Sequence, residues 1–181
     1  MPCPSDIEEI YEVITALEGA AAARLARLPM EERPVIQLLK AATKEMVDAL
    51  ADSDLPRWTV ADEDFHQTLV IESGNSRLMR MAGTVADQLH RARMFTLNLR
   101  PLPLHSAGEH AEIIDAIERG DAEAASRSAR LHRKHAHDAL IPLLLDTIYA
   151  ISRFSAAAIC TTRRLLVLPR CANGNPATMT M

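Results

Sequence analysis

Four side chains in this sequence carry donor chemistry at intervals that a helical fold can bring together: Asp62, His66, His110 and His132. Asp62 and His66 are four residues apart, which on a helix places them roughly 40° apart around the axis and about 6 Å apart along it, near enough to share a ligand. His110 lies ten residues before Gly120 and His132 twelve after it. If Gly120-Asp121 reverses the chain, those offsets are about 15 and 18 Å of helix, and antiparallel packing holds the two histidines nearly level. Imidazole and carboxylate donors converging from separate helices can hold a divalent metal, and a metal inside a helical bundle can hold a small anion. The plainer reading stands beside this one, because D-x3-H pairs are common on solvated helix faces and a lone histidine is more often a surface residue than a ligand.

Other candidates are fainter. Arg91, Arg93 and Arg100 could attract an anion, although arginines so spaced on a helix are usually solvated. His135 and His137 fall in the basic run RLHRKHAH and read as a solvated face, and His90 and His105 have no partner at a ligand interval. Glu63 and His66 form one Glu-x-x-His, but no glutamate stands three residues before His110 or His132, which disfavours a di-iron carboxylate bundle. HExxH, GxSxG, P-loop and GxGxxG signatures are absent from the sequence.

The elements that must position these side chains read as helices throughout. Apolar residues recur at three- and four-residue intervals, with glycine and proline at segment borders, so the expected architecture is all-α, an antiparallel bundle of six to seven helices. The first helix is predicted over about Asp6 to Arg27, with Ser5 as N-cap and Ile10, Val13, Ile14, Leu17 and Ala21 on the buried stripe. The second runs from about Pro34 through Leu38, Leu39 and Met46 to Ala51. Asp52 to Pro56 is a break, and the third helix starts near Thr59 and carries ADEDFHQTLVIES. Gly74-Asn75 suits a left-handed turn before a fourth helix that reaches about Asn98. A fifth covers about Ser106 to Arg119, and a sixth starts at Asp121 and is bent or ended by Pro142. The expected domain is 6–145. The remainder, 146–181, is an atypical tail, with disorder expected after Pro169.

Composition bounds the function. A chain of 181 residues is one domain able to bury its own core. Net charge −4 gives no basic balance for neutralising a phosphate backbone, and 3% aromatic residues leave little material for stacking on single strands. Cys3, Cys160 and Cys171 form no CxxC, which together with an acidic N-terminus points to the cytoplasm. The apolar stretch 148–168 is broken by Arg153, Arg163 and Arg164, so no membrane span is expected.

Three stretches in order, DIEEIYEVITALEGAAAARLA, ADEDFHQTLVIESGNSRL and EHAEIIDAIERGDAEAASRSARLH, resemble the FCD domain, the C-terminal effector domain of FadR-type GntR regulators. The recurring elements are D-x2-F-H-x2-L followed by G-N, then E-H-x2-I-x2-A-I, G-D-A-x-A-A and a final histidine. In the metal-binding branch of that family the ligands are an Asp, the His four residues later and two further histidines, which match Asp62, His66, His110 and His132. The resemblance implies a helical bundle around a divalent metal (Zn, Ni, Fe or Mn), a small carboxylate effector completing its coordination, and a homodimer whose operator binding the effector shifts.

Two departures qualify this. Family members often carry an arginine in the first helix that helps hold the effector, and the corresponding place here is Ile14. The family's winged helix-turn-helix lies upstream of this domain, whereas about five residues precede the first helix here, so no direct DNA binding is expected of this chain alone. A truncated or frameshifted regulator gene would account for that and for the tail. Two other readings remain: an all-α metalloenzyme in which Glu63 or Glu109 serves as general base, and a vestigial dimerisation domain.

Overall fold

In a computed structural model of the chain, which describes residues 4–29, 34–99 and 103–159, six α-helices follow one another without a strand among the described residues. They are α1 (Pro4–Arg27), α2 (Val35–Ala51), α3 (Leu55–Ile71), α4 (Ser76–Thr96), α5 (Ser106–Glu118) and α6 (Ala122–Ile159), with a 3-10 turn at Leu97–Leu99. The longest helix, α6, packs along α1 and α5, while α2 lies against α3.

Local chemistry sets the boundaries, and several differ from the sequence reading. The first helix already includes Pro4, so Ser5 lies inside it rather than capping it. The third begins at Leu55, not near Thr59. Asp54 caps it by accepting from the Arg57 N–H at 3.0 Å, and Pro56 occupies the first turn, where a missing N–H costs nothing. Gly74 takes the left-handed conformation at φ 68°, and Asn75 instead caps α4, its side chain accepting from the Arg77 and Leu78 N–H groups. At the end of α5, Gly120 (φ 72°) allows Asp121 N–H to reach Ala116 O and Gly120 N–H to reach Ile117 O. The same pair of bonds closes α2, but there the left-handed position is filled by Ser53, φ 57°. Pro142 does not end α6, which continues to Ile159. The helix therefore crosses the expected domain edge at 145 unbroken, while residues after Pro169 lie outside the described residues.

One stripe residue, Val13, also differs, and an apolar residue of α2 faces outward with it. Val13 and Leu38 are exposed, and the buried face of α1 runs Ile7, Ile10, Tyr11, Ile14, Leu17, Glu18, Ala21 and Ala22. One acidic side chain thus interrupts an apolar face. No helix among the described residues is long and apolar enough to cross a membrane.

Candidate metal centre

The interior is divided into two apolar clusters. One gathers Leu25, Leu39, Met46, Phe65, Leu69, Ile113 and Ile117, and the other Ile7, Ile14, Leu89, Leu140 and Leu144. Along α1, Glu18 lies between Leu17 and Ala21 of the second cluster, and along α6 His132 and Arg133 fall between Ala129 of the first and Leu140 of the second. With Asp62, His66, Arg93 and His110 they form a buried polar layer.

At its centre one ligand atom from each of Asp62, His66, His110 and His132 lies within 4.8 Å of the others, and all four residues are buried. His132 Nε2 is 3.2 Å from both His110 Nε2 and His66 Nε2. Asp62 approaches through Oδ1, 3.8 Å from His110 Nε2, and Oδ2, 3.9 Å from His66 Nε2. A tetrahedral zinc site with Zn–N distances of about 2.0–2.1 Å has donor–donor edges of about 3.3–3.4 Å, close to the two 3.2 Å separations around His132.

Protonation supports the same fit. His132 Nδ1 lies 2.7 Å from Glu109 Oε2, so the tautomer that satisfies the carboxylate carries its proton on Nδ1 and turns the Nε2 lone pair inward. His66 Nδ1 lies 3.1 Å from Glu18 Oε2, a contact not aligned well enough for a full hydrogen bond but close enough to favour a proton on that nitrogen. Two lone pairs then face each other at 3.2 Å, an arrangement that calls for positive charge between them. A proton is poorly suited to that place: burial, reinforced by the Arg133 guanidinium, pushes the His66 imidazole down to about 4, and burial with the neighbouring His132 pushes His110 well below its ordinary value.

Charge in the layer is paired. Arg133 donates from Nε to Glu18 Oε2 at 2.6 Å and from Nη2 to Glu18 Oε1 at 2.5 Å. Burial opposes ionisation of Glu18, but Arg133 and His66 together overcome it and hold the carboxyl well below the usual range. Asp62 follows the same pattern, with burial overcome by Arg93, which donates to Oδ2, and then by the three imidazoles. The Arg93 guanidinium also lies 5.9 Å from the Trp58 ring centroid.

Two cavities flank the layer, and both Arg93 and Arg133 line each of them. The smaller, about 210 Å³, reaches His66 and Glu18 between α1, α3 and α4. The larger, about 460 Å³, reaches Asp62 and His132 and is walled by Trp58, Leu97 and Leu104. That volume falls within the roughly 300–1,000 Å³ typical of small-molecule sites.

The four candidate ligands read from spacing therefore come together. Of the three arginines considered for an anion, Arg93 is buried in the layer, whereas Arg91 is exposed and lines neither cavity. Arg100 lies outside the described residues. Three histidines set aside by spacing also border the site: His90, 2.7 Å from Glu63 at the smaller cavity, and His105 and His135 at the larger. Glu18, Arg133 and the pairing role of Glu109 were missed. Two signals existed: the charge on the apolar stripe of α1, and His135 one turn beyond His132.

Comparison with known proteins bears on the family and the fold. The FCD domain family matches residues 9–135. An uncharacterized HTH-type transcriptional regulator in the TAR-I ttuE-ttuC' intergenic region of Agrobacterium vitis is 59% identical over 68 residues, which make up 37% of this chain and 40% of that protein. One in an unstable DNA locus of Streptomyces ambofaciens is 32% identical over 87 residues, 48% of this chain and 37% of that protein. The matched segments thus span well under half the length of these curated relatives. Streptococcus agalactiae GntR shares the fold at a TM-score of 0.60 with 23% identity, over 72% of this chain and 57% of that one. On the match across residues 9–135, the chain belongs to the FCD domain family.

Proposed function

We propose that this chain is the metal-dependent sensing domain of a GntR-type transcriptional regulator, responding to a small organic acid. The observation that carries the reading is the convergence of Asp62, His66, His110 and His132 within 4.8 Å, beside a 460 Å³ cavity lined by Arg93 and Arg133. A divalent cation (Zn, Ni, Fe or Mn) on those donors supplies a Lewis-acidic anchor for an anion. The side chains do the rest. Arg93 offers guanidinium donors to a carboxylate, and Trp58, Leu97 and Leu104 give its carbon skeleton an apolar wall that excludes water. A homodimer in the cytoplasm, joined in the complete regulator to a DNA-binding part, would turn occupancy into a change in operator affinity, provided the effector binds one arrangement of the dimer better than the other.

A metalloenzyme on the same donors is less well supported. Glu63 is engaged by Gln67 and His90 and Glu109 by His132 and His135, so both oxygens of each candidate base are already occupied. Metal analysis of purified protein, with Asp62→Ala and His132→Ala as controls, tests the reading. About one equivalent of metal in the wild type and loss in both variants is expected. Calorimetric titration with a panel of organic acids follows. Wild-type protein that retains no added Zn(II), Ni(II), Fe(II) or Mn(II) would remove the sensor mechanism, and turnover of any of the acids would favour the enzyme.

A further inference from the structure

The two oxygens of Glu109 serve different histidines. Oε2 accepts from Nδ1 of buried His132 at 2.7 Å, and Oε1 accepts from Nδ1 of His135 at 2.5 Å. His135 is three residues beyond His132 and so projects from the same face of α6 one turn along, with half its side chain exposed. One carboxylate from the first turn of α5 therefore spans a helical turn of α6, and all three side chains border the larger cavity.

The supports of the three histidines are unequal. His66 leans on Glu18, which Arg133 holds from within the interior. His110 has no hydrogen-bond partner on Nδ1 among the described residues, and its ring rests on Phe65 at 4.1 Å. His132 alone has a support that reaches solvent. An imidazole ligand is fixed by whatever its other nitrogen donates to, because that partner sets both the tautomer and the ring plane.

We propose that Glu109 and His135 are positioning residues of the metal centre: His135 fixes the Glu109 carboxylate, and Glu109 holds His132 so that Nε2 faces the ion. The surface histidine thereby contributes to metal retention without touching the metal. The proposal rests on the metal reading above.

The test is a titration of the chelator-treated full chain with Co(II) alone, in wild type, Glu109→Ala, Glu109→Gln, His135→Ala and the E109A/H135A double variant. Affinity is read by chelator competition and geometry by the visible absorption of the ion. Glu109→Ala is expected to weaken binding about 10–100-fold and to alter the spectrum. Glu109→Gln keeps an acceptor oxygen and loses less. His135→Ala weakens binding by a smaller factor that vanishes in the Glu109→Ala background, because it acts through that carboxylate. Wild-type affinity and spectrum in Glu109→Ala would overturn the proposal, as would a His135→Ala loss that persists in the double variant, or variants whose urea midpoint falls while affinity holds. All three leave the metal reading intact. Wild-type protein without a Co(II) spectrum would overturn that reading and this proposal with it.

Discussion

The Glu18–Arg133 pair makes a sharp quantitative prediction, because both side chains are nearly sealed from solvent, at 3% and 4% exposure. Glu18→Ala leaves the Arg133 guanidinium buried without its carboxylate. Stranding one member of a buried pair typically costs about 3–5 kcal/mol, a large part of the roughly 5–15 kcal/mol that holds a domain folded. At about 2–4 °C per kcal/mol for a chain of this size, the midpoint should fall by about 6–20 °C. Removing both charges is a different perturbation. Glu18→Leu with Arg133→Met replaces the pair by apolar groups of similar volume and should recover most of the loss, since the desolvation of two ions disappears together with their attraction.

The assay is urea unfolding followed by far-ultraviolet circular dichroism in the presence of chelator, so that metal binding to the native state adds nothing to the measured stability. A Glu18→Ala loss below about 1 kcal/mol would mean that Arg133 finds water or another anion, and the buried-pair reasoning would fail. A double variant as unstable as the single one would show instead that the layer needs this pair for its shape.

The remaining predictions concern protons, metal and backbone. In chelator-treated protein His66 takes up a proton near pH 4 when folded but near its ordinary 6.5 when unfolded, so stability is complete above about 6.5 and falls by up to about 3 kcal/mol as pH drops toward 4. Glu18 and Asp62, held below their ordinary 4.5 and 3.8, extend the loss as pH falls below those values; a urea midpoint that is level from pH 7 to 4.5 would contradict this assignment. Zinc at about 100 times its dissociation constant should raise wild-type stability by about 2.7 kcal/mol in calorimetry and leave His110→Ala unmoved. Ser53→Gly should stabilise by about 0.5–1 kcal/mol, and Gly74→Ala, with open space for its methyl but φ at +68°, should cost about 1–2 kcal/mol; reversed signs in urea unfolding would refute the left-handed assignments.

The four candidate ligands were legible in sequence because their geometry is local. Asp62 and His66 share a helix face, and His110 and His132 are levelled by one short turn whose glycine announces it. Ser53 does the work of such a glycine without the signal, and the start of α3 was missed with it. Arg133 and Glu18 are 115 residues apart, so no interval in the sequence relates them, and their pairing depends on how α1 lies along α6. Val13 and Leu38 are apolar residues near a stripe, and only the packing decides which side of its edge they fall on.

The polar layer itself argues for function rather than stability. Seven buried polar side chains, Glu18, Asp62, His66, Arg93, His110, His132 and Arg133, occupy interior positions next to the two apolar clusters. Each buried ion carries a desolvation penalty of several kcal/mol, and an apolar layer of similar volume is often as stable or more so. Hydrogen bonding offsets only part of that cost, since among the described residues His110 Nδ1 has no hydrogen-bond partner and His66 Nδ1 only a misaligned one. The paired carboxylates turn imidazole lone pairs inward, where they repel one another unless something positive lies among them. A cation among those lone pairs would relieve the repulsion, so added metal is expected to raise the stability of this layer as it binds.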